Sequence, residues 1–87
     1  MGKAKRYVCL CCGYFTLKEE AGNTFQFCEV CYWEDDGVQS SDRDYESGAN
    51  HVSLNQAVQN FKKFGASEEC FKDNVRLPHK EELYSEN

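Results

Sequence analysis

The sequence predicts a small α+β domain: a β-hairpin clamped by two CxxC turns, then one main α-helix and a short second helix. Three observations predict it. Cys9-x2-Cys12 and Cys28-x2-Cys31 stand fifteen residues apart. Two short stretches of alternating apolar residues lie around that gap. A single amphipathic segment with both caps follows further on.

The hairpin comes first. In YFTLK, residues 14–18, Phe15 and Leu17 share one face, while Tyr14, Thr16 and Lys18 share the other. TFQFC, residues 24–28, alternates in the same way and puts Phe25 and Phe27 on the apolar face. EEAGN between them is rich in turn formers. Period-two segments joined by a Gly/Asn turn read as antiparallel strands. Pairing them would bring the two cysteine pairs together at the open end.

Residues 34–50, EDDGVQSSDRDYESGAN, are polar and acidic and read as a long loop. Asp42, Asp44 and Glu46 alternate as calcium ligands do. Counted from Asp42, however, Ser47 and Ser53 occupy the sixth and twelfth places, where an EF-hand needs glycine and glutamate. A solvated acidic loop is the expectation. The main helix then runs over about residues 54–64. Leu54, Ala57, Val58, Phe61 and Phe64 recur at helical spacing. Ser53 with Gln56 makes a capping box, Lys62 and Lys63 suit the last turn, and Gly65 suits the position just beyond it. Ser67 is placed to cap the short second helix, with Phe71 and Val75 inward, and Leu77-Pro78 ends it. The domain is expected over residues 7–78, with a basic tail at 1–6 and a C-terminal tail at 79–87.

The cysteines carry the chemistry. C-x2-C-x15-C-x2-C is a zinc-site spacing. Two intervening residues form a tight turn that lets both sulfurs reach one ion at about 2.3 Å. Gly13 after Cys12 tolerates the left-handed backbone such turns use, whereas Tyr32 stands in the matching place after Cys31. The expected metal ligands are therefore Cys9, Cys12, Cys28 and Cys31, and the expected ion is Zn2+. Iron in the same all-sulfur geometry, as in a rubredoxin-like electron carrier, is the alternative. Four thiolates close the coordination sphere, so the site reads as structural rather than catalytic. Disulfides, buried small side chains and a redox dithiol are the competing readings of these thiols. The absence of an export signal weighs against the first, the doubled spacing against the second, and the lack of a βαβ context against the third. Cys11 reads as a turn residue, with a spare ligand or reactive thiol as its alternatives. Cys70 reads as a half-buried apolar residue of the second helix. Tyr7, Tyr32 and Trp33 are expected to pack around the metal site, with a partner-binding aromatic surface as the alternative.

Composition narrows the function. In 87 residues the net charge is −5. Four thiolates against one divalent ion would deepen it by two charges. That field repels phosphates, so nucleic acid is not the expected partner. Lys3, Lys5 and Arg6 are the only basic cluster. No apolar run suits a signal peptide or a membrane span, which makes the cytoplasm the expected compartment. No Ser/His/Asp order, phosphate loop or HExxH motif occurs, and neither His51 nor His79 is paired with a carboxylate by any motif. The chain is therefore expected to be no enzyme. The leading expectation is a non-catalytic zinc-binding module that contacts an unidentified protein. A thiol-based redox or metal-responsive protein is the alternative. Oligomeric state is not legible.

YVCLCCGYF at 7–15, CEVCYWEDD from Cys28 and GANHVSLNQAVQNFKKFGA in the second half together resemble the cysteine-rich CPCC domain proteins, which are small and mostly bacterial. The resemblance runs from about Tyr7 to Pro78. Leu10 stands where the family's namesake motif has proline, which leaves every cysteine in place. The family is similar to zinc ribbons in its paired cysteine turns. The resemblance implies a metal site, and implies that the acidic loop and the SLNQAVQNF helix belong to one domain. It implies no activity.

Overall fold

A computed structural model describes residues 6–83. The predicted hairpin does not form, and among the described residues there is no strand and no sheet. Instead each cysteine turn lies in its own loop, closed by one isolated antiparallel bridge. Tyr7 pairs with Leu17 around the first turn, and Phe27 pairs with Glu34 around the second.

The reason lies at Phe25. Its φ of 60° is left-handed, which no extended strand allows, so the alternation breaks inside TFQFC. Phe25 and Phe27 consequently face solvent, 58% and 53% exposed, while Leu17 is buried. The two stretches are joined by side chains rather than a ladder. Lys18 N–H donates to Gln26 Oε1 at 3.0 Å, and Gln26 Nε2 donates to the Glu19 carbonyl at 2.8 Å.

The acidic stretch also departs from expectation. It holds a five-residue helix, α1, Gly37–Ser41. Asp36 caps it, accepting from the Val38 and Gln39 amides at 2.8 and 3.1 Å. A second oxygen of Asp36 accepts from the Ala49 amide at 3.0 Å. Three polar side chains that look solvent-bound in the sequence are buried beneath this segment: Asp35, Gln39 and Asn50. Asp35 accepts from the Gly22 and Thr24 amides and from the Thr24 and Ser40 hydroxyls. Gln39 and Asn50 bond to each other and to the backbone around them. The acidic residues Asp42, Asp44 and Glu46 stay at the exposed rim.

Helix α2 spans Leu54–Phe64. Ser53 Oγ accepts from the Gln56 amide at 3.1 Å, and Gly65 takes φ 79° at the other end. The Gln56 side chain does not complete the capping box but donates to Asn60 Oδ1 at 2.8 Å. Leu54 and Ala57 are fully buried and pack into one core with Cys9, Cys11, Leu17, Cys28, Val30, Cys31 and Trp33. Tyr14 meets Phe61 edge-on at 6.3 Å between ring centres. The helix therefore seats on the cysteine turns themselves, not on a sheet face.

The short second helix is reduced to a single 3-10 turn, Glu69–Phe71. Ser67 does not cap it. The Ser67 amide donates to the Cys31 carbonyl at 2.7 Å, and its hydroxyl is buried with no hydrogen-bond partner among the described residues. This bond turns the chain back onto the second cysteine turn, which pulls Ser67 inward.

The segment expected as a C-terminal tail, 79–87, is described as far as residue 83. Here Lys80–Glu82 forms a 3-10 turn, and Glu82 is 2% exposed. Arg76 grips it with both terminal guanidinium nitrogens, at 2.8 and 2.9 Å, and the His79 amide donates at 2.7 Å. The Glu82 carbonyl in turn accepts from the Phe15 amide at 2.7 Å, which ties this turn to the first cysteine loop. The Arg76 bonds hold the Glu82 carboxyl below the ordinary carboxylate range, against the opposing cost of burial. A folded value below the unfolded one means the stabilisation is complete above about pH 4.3 and drains away as pH falls through the folded value. Glu82→Gln should lower stability by about 1–3 kcal/mol at pH 7. It should also remove part of the acid limb in a pH series of urea melts. Asp36 supplies a further part, since the Ala49, Gln39 and Val38 amides lower its carboxyl as well.

Candidate metal centre

The two cysteine turns are built alike. In the first, the Cys9 amide donates to the Tyr14 carbonyl at 2.8 Å and the Gly13 amide to the Cys9 carbonyl at 2.9 Å. In the second, the Cys28 amide donates to the Trp33 carbonyl at 3.0 Å and the Tyr32 amide to the Cys28 carbonyl at 2.6 Å. The residue after each CxxC is left-handed, Gly13 at φ 81° and Tyr32 at φ 72°. Glycine fits this conformation freely, whereas a tyrosine pays about 1 kcal/mol to hold it.

The turns converge. The sulfurs of Cys9, Cys12, Cys28 and Cys31 all lie within 4.8 Å of one another. Cys9 Sγ stands 3.6 Å from Cys31 Sγ, and Cys12 Sγ stands 3.7 Å from Cys28 Sγ. A metal–sulfur bond of about 2.3 Å in a regular tetrahedron puts its sulfurs about 3.8 Å apart. A disulfide would bring them to about 2.05 Å. The donor set therefore fits one tetrahedral ion and not two disulfides. Each pair also spans both turns, so an ion here would clamp one loop to the other.

The surroundings suit thiolates. Cys9, Cys28 and Cys31 are buried, and Cys12 is partly covered. Thr16 Oγ1 donates to Cys28 Sγ at 3.0 Å, a bond with no signal in the sequence. Without a cation the set cannot ionise fully. Hydrogen bonding within the Cys12–Cys28 pair raises the Cys12 thiol and lowers the Cys28 thiol. The Cys31 thiol is pushed up, first by its hydrogen bond with Cys11 and then by the other cysteines.

Cys11 is explained by the likeness of the turns. Its counterpart in the second turn is Val30, and both are buried in the same core. Cys11 occupies the place of a small apolar side chain, outside the four converging sulfurs. Cys11→Val should keep the full metal content, measured by native mass spectrometry, whereas Cys28→Ser should lose it. Cys70 is exposed rather than half-buried. In the metal-loaded protein, brief alkylation should label one thiol per chain, and peptide mapping should place it at Cys70.

The aromatics divide. Trp33 is buried beside the cysteines, and Tyr7 packs partly against the same cluster. Tyr32 points to the other side, where it joins Phe27 and Phe71. His51 sits at the surface against Glu68, and His79 heads the last 3-10 turn, so neither is near the four sulfurs as a ligand.

The family model described as cysteine-rich CPCC matches residues 7–82. The chain belongs to the cysteine-rich CPCC family. The match extends past Pro78 to Glu82, the residue Arg76 holds against the domain. In this member the namesake run is Cys9-Leu10-Cys11-Cys12, and its first and last cysteines enter the four-sulfur set. No curated protein matches the chain. No helix among the described residues is long and apolar enough to cross a membrane.

Proposed function

We propose that Cys9, Cys12, Cys28 and Cys31 hold one zinc ion, and that this ion is a structural centre in a non-catalytic module that contacts another protein. The sulfur separations of 3.6 and 3.7 Å carry the metal reading. A bound ion would have four thiolate ligands and no open position for a substrate water, which favours structure over catalysis. Its task would be to join two loops that share no backbone ladder. The negative charge disfavours nucleic acid, and the aromatic surface around Phe27 supports a protein partner. Closely spaced cysteines in a metal-site pattern suit a reducing compartment, and the cytoplasm is our reading.

Native mass spectrometry of the purified, reduced protein tests the centre. One zinc per chain is the expected mass. A red protein carrying iron would instead make it an electron-transfer centre. Disulfide-paired cysteines and no metal would overturn the reading.

A further inference from the structure

Beside the cysteine core lies a cavity of about 270 Å³ whose lining includes Phe27, Tyr32, Phe71, Glu34, Glu68 and His51. The three rings form a continuous wall. Phe27 and Tyr32 meet at 5.3 Å with planes 67° apart, and Tyr32 and Phe71 meet at 4.8 Å with planes 49° apart. Phe27 is half exposed although it is a large apolar residue. Two acidic residues, Glu34 and Glu68, line the cavity. Glu68 has a side chain only 12% exposed and touches His51 Nδ1 at 3.3 Å. Among the described residues the Glu34 carboxylate has no ion-pair partner. Among the described residues no lysine or arginine lines the space.

Ring faces are negative, and a cation placed against them is attracted, more so when water is excluded. Carboxylates beside the rings add to that attraction and disfavour a purely apolar guest. The second observation is the backbone at Tyr32. The matching position of the first turn is Gly13, and both are left-handed. Glycine would satisfy the turn without strain, so the metal fold does not require tyrosine there. What the side chain adds is the central ring of the cavity wall. Strain held at one residue, while an unstrained solution stands in the sister turn, points to a task for that ring.

We propose that this cavity is the recognition site for a basic side chain, a lysine ammonium or arginine guanidinium, presented by a partner protein. The cation lies against the Tyr32 ring, flanked by Phe27 and Phe71. Glu34 and Glu68 supply the opposite charge. The proposal rests on the protein-contact reading above and names the chemistry of that contact. The net charge of −5 would draw a basic segment toward this face.

The test uses the full chain with its metal content verified, and ¹⁵N NMR titration with three short peptides. These are acetyl-Gly-Lys-Gly-amide, its arginine counterpart, and its norleucine counterpart as the uncharged control. The lysine and arginine peptides should shift the amide signals of Tyr32, Glu34, His51 and Phe71, with affinity about tenfold or more above norleucine. Glu68→Gln and Tyr32→Leu should each weaken that binding. Tyr32→Gly should abolish it while keeping the metal and the dispersed spectrum. Equal shifts from norleucine would make the cavity an apolar groove and overturn the proposal. So would the absence of pocket shifts with every peptide. A partner recovered by cross-linking whose binding survives Tyr32→Gly would also overturn it, yet would leave the protein-contact reading standing.

Discussion

Chelation of the metal-loaded protein is expected to unfold the whole domain. A structural zinc site contributes an apparent ~10–16 kcal/mol at neutral pH, comparable to or above the ~5–15 kcal/mol that holds an entire domain together. The core offers little to fall back on. Three of its fully buried side chains are the ligands Cys9, Cys28 and Cys31. No sheet ties the first loop to the second. Removing the ion would leave four thiols in a space that cannot ionise them, with α2 resting on that space. Circular dichroism with added chelator should therefore show loss of the α2 signal in one cooperative step, and added zinc should restore it. Acid should act similarly. The metal-bound fold holds fewer protons than the unfolded chain, because its ligands are thiolates. Stability then rises with pH while the unfolded thiols remain protonated, up to about pH 8.5. A chelated chain that keeps its helix and melts as before would defeat the structural reading of the centre.

The second large effect is expected at Gln39. Its side chain is fully buried. Nε2 donates to the carbonyls of Tyr45, Asn50 and Val52 at 3.0, 3.3 and 2.9 Å. Oε1 accepts from the Asn50 amide and from Asn50 Nδ2 at 3.2 and 2.9 Å. Asn50 passes the connection on to the Glu34 backbone, next to the second cysteine loop. Gly48 is packed so closely that an added Cβ would stand 2.6 Å from the Gln39 side chain. Gln39→Leu keeps the volume but takes this partner from three carbonyls, one of them buried, and from the buried Asn50 amide. With each unsatisfied group costing about 1–3 kcal/mol, the loss should reach about 3 kcal/mol or more. Urea denaturation of the metal-loaded protein measures it. Metal content should be unchanged in the folded fraction, which separates this effect from damage to the centre. A loss below about 1 kcal/mol would show that water replaces the network freely.

The sequence made some of this legible and hid the rest for identifiable reasons. Helix α2 was readable because its signals are local: Ser53, the apolar stripe, the terminal lysines and Gly65 all act within a few residues. The cysteine spacing was readable because metal geometry constrains neighbours in sequence, and the four sulfurs do converge. The hairpin was misread because alternation in TFQFC says nothing of the left-handed turn at Phe25, which reverses its faces. The acidic stretch was misread because Asp35, Gln39 and Asn50 are polar residues buried by mutual hydrogen bonds. Burial of that kind depends on partners up to sixteen residues away, such as Glu34 for Asn50. Glu82 was placed in a tail because nothing near it in sequence announces Arg76 as a clamp.

The order of the ligands along the chain has a consequence for how the protein is made. All four lie between residues 9 and 31, ahead of every described helix. During synthesis they emerge together, before any of α2 has left the ribosome. The ion could then be captured by the nascent chain alone. Later segments would dock onto a finished platform, through the Ser67 amide on the Cys31 carbonyl and the Arg76 amide on the Glu29 carbonyl. An ion captured at that stage would join the two cysteine loops before α2 and the C-terminal turn have to find them.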